Sequence, residues 1–210
     1  MAYHLPAKYR ENPGPVYFLD DVTSTRGIVF QAAVYEEAER LAVELGIERI
    51  IDVGCGWGDK LAKLHEAHPD WIIEGVDYGD NIEHCRQTHP WGRWHEADLD
   101  GDALSASLTG APPAVVICAD VVEHVLDPDR LLRKLANLGQ PIVVLSTPAR
   151  EVQYPKGHMG PPQNLCHVRE WRSSEFAKVV QDAGFTILSH ELVPGSDQTS
   201  VAATQMVVCG

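Results

Sequence analysis

Seven short apolar runs, most of them separated by a single helical segment, leave this chain few folds to choose from. The runs are "RIIDVG", "WIIEGVD", "RWHEADL", "PAVVICAD", "PIVVLSTP", "TILSHELVP" and "AATQMVVCG". Between them "DKLAKLHEAH", "NIEHCRQTH", "DPDRLLRKLANLG" and "SSEFAKVVQDAGF" carry helical periodicity. Strands joined by single helices make βαβ units, so the pattern predicts an α/β fold with a parallel sheet and helices on both faces. The last two runs follow each other directly, which predicts a closing hairpin and one antiparallel strand.

Punctuation supports this division. Gly27 to Gly46 reads as an amphipathic helix closed by a glycine. Asp127 is placed to cap a helix, with Pro128 at its first position and Gly139 past its end. Ser173 or Ser174 is placed to cap another. Residues 1–26, rich in Pro, Gly and aromatics, read as an irregular segment able to serve as a lid, and residues 27–210 as one domain. Arg150 to Val168 is a long segment with no clear period. It follows a strand on the edge where open α/β sheets bind ligands, which marks it as functional.

Composition removes several classes of function. Thirty acidic residues against seventeen basic ones give a formal net charge of −13, with no Lys/Arg block, so nucleic acid is not an expected partner. Hydrophobic residues at 44% suffice for a core. Cys55, Cys85, Cys118, Cys166 and Cys209 show no CxxC spacing, which fits reduced thiols in a cytoplasmic protein. No apolar run approaches the roughly 18 residues of a membrane span, and the N-terminus has no secretory apolar region. A monomer and a homodimer are both compatible with these features.

The strongest local signal is "IIDVGCGWGDK". A strand runs through Asp52 into a turn with Gly54, Gly56 and Gly58, which allows close approach of a ligand to the backbone. A dinucleotide fingerprint would place its third glycine at position 59, where this chain has Asp59. Asp77, with Tyr78 beside it, ends the next strand where a carboxylate can accept from ribose hydroxyls; capping the following helix is the alternative. Asp98 is placed to accept from an adenine amino group, and Leu99 to offer its amide and side chain.

Together "DVGCGWG", Asp77, Asp98-Leu99, "ADVVEHVLDP" and "VVLSTP" resemble the class I S-adenosylmethionine-dependent methyltransferases over roughly residues 47 to 210. The nearest branch contains the ubiquinone-biosynthesis O-methyltransferases. The resemblance implies a Rossmann-like seven-stranded sheet whose last strand is antiparallel. It also implies S-adenosylmethionine as cosubstrate, held by Asp52, Gly54, Gly56, Gly58, Asp77, Tyr78, Asp98, Leu99 and Asp120. The expected reaction is methyl transfer to a small molecule, first of all to a hydroxyl oxygen. Transfer to nitrogen or a carboxylate, and a non-catalytic binding protein, are the alternatives.

"ADVVEHV" admits two readings. Asp120, Glu123 and His124 are spaced to share one side of a helical turn, with Asp120 as cap and Glu123 as its capping-box partner. The other reading is a metal site completed by His167 from the long segment. That set resembles the metal-dependent ubiquinone-pathway O-methyltransferases and the small-RNA 2′-O-methyltransferases, although Asp120 stands where those carry Glu. Two imidazoles with carboxylates suit Zn, Mn, Fe or Co rather than Mg. His167 and His124 are the candidate catalytic groups. Arg169, Tyr17, Phe18, Tyr154 and Trp171 are further candidates on the substrate side, with Glu170 or Glu175 as protein partners for Arg169.

Overall fold

The computed structural model describes residues 5–12, 27–101, 103–110 and 112–210. Tyr17 and Phe18 lie outside the described residues. Helix α1 (Ala32–Leu45) leads into β1 (Arg49–Val53), α2 (Asp59–Ala67), β2 (Ile72–Asp77), α3 (Asp80–Thr88) and β3 (Arg93–Glu96). Then come β4 (Val115–Ala119), α4 (Pro128–Ala136), β5 (Ile142–Pro148), the one-turn α5 (Arg150–Gln153), α6 (Ser173–Asp182), β6 (Ile187–Val193) and β7 (Thr204–Cys209). They form one seven-stranded sheet in the order β3-β2-β1-β4-β5-β7-β6. Strands β1 to β5 pair in parallel, and β7 runs antiparallel between β5 and β6.

Strand alternation sorts the core onto two faces. Ile51, Val53, Val116, Cys118, Val143 and Leu145 pack with Leu131 and Leu135 of α4 and Phe176 and Val180 of α6. Ile50, Val115, Ile117 and Val144 pack on the other face with Val34 and Ala38 of α1, Leu61 of α2 and Ile82 of α3. Buried on both faces, the central strands lack a polar side, and their sequences show none.

Three local expectations need correction. Helix α1 begins at Ala32 and not at Gly27, because residues 27–31 are drawn out by a bridge from Phe30 to Ser196 and by the Gln31 and Val29 backbone bonds to Gly195 and Asp197. Asp120 to His124 is not a helical turn: Asp120 sits at φ 51, with its N–H directed to the Ser146 carbonyl, and the helix starts only after the Asp127 cap. Helix α6 is capped at Arg172, whose N–H donates to the Glu175 carboxylate, while the Ser173 hydroxyl and N–H donate to Glu151.

One buried ion pair secures the β1–β2 edge. Arg49 and Glu74, both nearly inaccessible, lie 2.8 Å apart on adjacent strands, and His95 of β3 closes on the same carboxylate at 2.7 Å. Arg49 also donates to the Ser107 and Pro112 carbonyls. Burial alone raises the Glu74 pKa, but hydrogen bonds and charge from His95 and Arg49 outweigh it and hold the group below its ordinary value. Arg49→Met is expected to lower unfolding free energy by about 3–5 kcal/mol, because it strands a buried carboxylate. Arg49→Met with Glu74→Leu should recover most of that loss in urea unfolding. Because the folded pKa is depressed, the Glu74 contribution is complete above its unfolded value of 4.5 and is lost as pH falls through the folded one. Urea titrations between neutral and acid pH check the sign.

Candidate functional site

The carboxyl ends of β1 to β5 open onto one cavity of about 850 Å³. At the end of β1 the chain turns through Gly54 at φ 89, Gly56 at φ 56 and Gly58 at φ 77, and α2 starts. A β-carbon on Gly54 would stand 2.3 Å from Val121 Cγ2, so the turn is pressed against the β4 segment. Asp77 ties the turn to β2: its Oδ2 accepts the Gly56 N–H at 2.8 Å, and its Oδ1 accepts from Tyr78 N–H and Asn81 Nδ2. The helix after β2 is capped by Gly79, so Asp77 is not its N-cap.

Gly54, Gly56, Asp77, Tyr78, Asp98, Leu99 and Asp120 line the cavity; Asp52 and Gly58 do not. Asp52 is buried beneath the turn, where its Oδ2 accepts the Tyr35 hydroxyl at 2.6 Å. Gly58 supplies the left-handed residue that starts α2, packed under Trp94 and His89.

The segment after β4 and the long segment after β5 bring an ionisable cluster to the cavity. Glu123, His124 and His167 present ligand atoms within 4.8 Å of one another. His124 Nδ1 lies 2.8 Å from the Cys166 carbonyl oxygen, and His167 Nδ1 lies 2.7 Å from Glu170 Oε1. A ring nitrogen facing an oxygen acceptor carries the hydrogen, which assigns the lone pair of each ring to Nε2. The two rings meet edge to face at 4.8 Å, and Asn164 Nδ2 stands 3.0 Å from His167 Nε2. Glu123 is fully buried; its Oε2 accepts from Thr147, and its Oε1 has no hydrogen-bond partner among the described residues. Asp120 stands outside this trio, its carboxylate taken by the Ser146 hydroxyl at 2.6 Å and Gln31 Nε2 at 3.0 Å.

Burial, and then the charge of Asp120, push the Glu123 carboxyl well above its ordinary pKa. Burial raises Asp120 as well, against hydrogen bonds from Ser146 and Gln31. Burial, and then the neighbouring His167 imidazole, push His124 down to about 4, so this ring is neutral at pH 7. A cation would relieve a carboxylate that resists ionising, and an imidazole that resists protonation keeps its lone pair free for such an ion. With an unpartnered carboxylate oxygen and two rings locked by acceptors behind them, the residues present fit a divalent ion.

Several sequence candidates lie elsewhere. Trp171 is a core residue, and Tyr154 does not line the cavity. Arg169 is also off the cavity and pairs with Glu11 at 2.8 Å, not with Glu170 or Glu175. The long segment contributes Gln153, Asn164 and His167 to the wall. Gln31, Lys60 and Lys63 also line it, outside any expectation from the sequence. They belong to no motif; only the helical spacing of the two lysines past the glycine turn could have pointed to them.

Comparison with known proteins gives a consistent picture. A family described as a methyltransferase domain matches residues 22–190. The ubiquinone biosynthesis O-methyltransferase of Neisseria meningitidis serogroup C (strain 053442) is 31% identical over 98 residues, 45% of this chain and 40% of that one. That of Methylococcus capsulatus (strain ATCC 33009 / NCIMB 11132 / Bath) is 30% identical over 98 residues, 44% of this chain and 39% of its own. The chain thus spans about two-fifths of the length of these relatives. In fold it is similar to magnesium protoporphyrin IX methyltransferase from Synechocystis PCC 6803 with bound SAH, at 18% identity, TM-score 0.61, and 93% and 88% of the two chains covered. The methyltransferase domain of bacterial-CtHen1-C is similar at 23% identity, TM-score 0.61, and 83% and 95% covered.

Gly54→Ala is expected to cost about 2–4 kcal/mol, from a left-handed backbone together with the clash on Val121. Adding Val121→Ala should recover the steric part and leave the backbone part, as read in thermal or urea unfolding of the four proteins in the cycle.

Proposed function

Because this chain belongs to the methyltransferase domain family, we propose that it moves the methyl group of S-adenosylmethionine to a hydroxyl oxygen of a small molecule, with one divalent ion held by Glu123, His124 and His167. The observation that carries this reading is the convergence of those three buried groups in the same cavity as the glycine turn and Asp77. A sulfonium methyl is already electrophilic, so the protein's task is to align the acceptor, exclude water and handle one proton.

The glycine turn brings backbone up to the cosubstrate, Asp77 accepts from its ribose hydroxyls, and Asp98 accepts from its adenine. Ile28, Val29 and Phe30 supply apolar wall over the acceptor. When bound, a Zn, Mn, Fe or Co ion supplies Lewis acidity that lowers the pKa of an acceptor hydroxyl. Glu170 and the Cys166 carbonyl fix the two imidazoles from behind, which keeps both Nε2 atoms turned to the acceptor side. Thr147 holds one oxygen of Glu123 and leaves the other for the site.

Stripping the protein with a chelator is expected to abolish turnover, and one of Zn, Mn, Fe or Co should restore it. His124→Ala and His167→Ala should each lose bound metal while keeping affinity for S-adenosylhomocysteine. Full activity after stripping, with unchanged metal content in both variants, would remove the ion from the reading and leave His167 as a general base. Separately, Asp77→Ala should weaken S-adenosylhomocysteine binding roughly ten- to hundredfold by calorimetry, since it deletes a charged acceptor.

A further inference from the structure

We propose that Lys60 and Lys63 form a carboxylate-recognising subsite at the α2 end of the cavity; this rests on reading the cavity as the site of cosubstrate and acceptor. They are the only lysine or arginine side chains among the described residues that line it. The other ionisable residues of the described lining are the acids Asp59, Asp77, Asp98, Asp120 and Glu123, along with the two histidines. Both cations therefore sit on one helix, with Asp59 beside them, and the other carboxylates lie at or just past the strand ends.

Three residues apart on α2, the two lysines project from one face of the helix. Lys60 Nζ lies 5.4 Å from the centre of the Tyr35 ring, which is itself pinned by the hydrogen bond of its hydroxyl to Asp52. This cation–π contact fixes where the Lys60 ammonium ends. None of the lysine or arginine ion pairs among the described residues uses either ammonium. Neither ammonium is therefore held in an ion pair, although the charge of Lys60 also acts on Asp120, in a chain whose formal net charge is −13.

Asp59 lines the cavity beside them. Asp59, and Asp120 within the reach of the Lys60 charge, offset part of the two ammonium charges, which disfavours a dianionic phosphate and leaves a monoanion as the better match. Two ligands of the proposed reaction can bring a carboxylate: the amino-acid end of the cosubstrate, and an acidic acceptor.

The experiment compares wild type with Lys60→Met/Lys63→Met, which keeps the apolar stems, and with Lys60→Arg/Lys63→Arg, which keeps the charge. Thermal melts confirm that all three fold. Calorimetry is run with S-adenosylhomocysteine and with methylthioadenosine, which has the nucleoside and thioether but no carboxylate. Equilibrium dialysis of the S-adenosylhomocysteine-saturated proteins then compares 3,4-dihydroxybenzoate with catechol. If the cosubstrate is the source, the methionine variant binds S-adenosylhomocysteine roughly tenfold more weakly. Methylthioadenosine then binds all three proteins alike, and the arginine variant is restored. If the acceptor is the source, nucleoside binding is unchanged, and the wild-type preference for dihydroxybenzoate over catechol disappears in the methionine variant. Wild-type and methionine proteins that bind S-adenosylhomocysteine equally, with no carboxylate preference to lose, would overturn the subsite while leaving the cosubstrate reading in place. A wild type that binds neither nucleoside would overturn both.

Discussion

Parallel pairing of β1 to β5 sets five strand carboxyl ends along one edge, and most of the groups proposed to act in this protein hang from that edge. The glycine turn follows β1, Asp77 ends β2, Asp98 lies just past β3, Asp120 to His124 follow β4, and Ser146 and Thr147 lie within β5. The parallel arrangement thus makes neighbours of residues that are remote in sequence. It also explains why hydroxyls of β5 attend carboxylates of the β4 turn: Ser146 serves Asp120 and Thr147 serves Glu123, one strand over.

The long segment after β5 is held by a different device. Arg150 is buried, sits over the rings of Tyr9 and Tyr154, and donates to the carbonyls of His158 and Gly160. One Nη lies 3.6 Å from Glu170, whose other oxygen holds His167. The N-terminal residues brace the same place from outside. The Tyr9 hydroxyl accepts the Glu170 N–H, and Asn12 bonds to the His167 carbonyl. A single guanidinium therefore organises the loop that delivers the second imidazole, and burial among aromatic faces keeps it from being screened by water.

What could be read in the sequence follows from which interactions are local. Strand runs, the glycine turn and the Asp127-Pro128 helix start depend on nearby residues, and these expectations match the structure. Residues 27–31 have helical periodicity but are pulled straight by partners at 195–197, which no window on the sequence contains. Asp120 fails as a helix cap for the same reason: its N–H is claimed by Ser146, so the backbone turns left-handed and the spacing to Glu123 loses its helical meaning. Arg169 adjoins Glu170 in the sequence, yet it pairs with Glu11, more than 150 residues away. Glu123, His124 and His167 could be grouped in advance only through resemblance, because 42 residues separate the two histidines that Cys166 and Glu170 orient.

The position of β7 bears on how such a chain is made. Among the described residues β6 has no sheet partner other than β7, and β7 is also the partner of β5. As a ribosome extends the chain, β1 to β5 can assemble in order, but β6 must wait beside a gap until Thr204–Cys209 has emerged to fill it. The cavity waits too, because Ala203 and Thr204 form part of its wall. A nascent chain stalled between β6 and β7 would hold its catalytic edge in place, yet expose the backbone hydrogen-bonding groups of β5 and β6 to any passing strand.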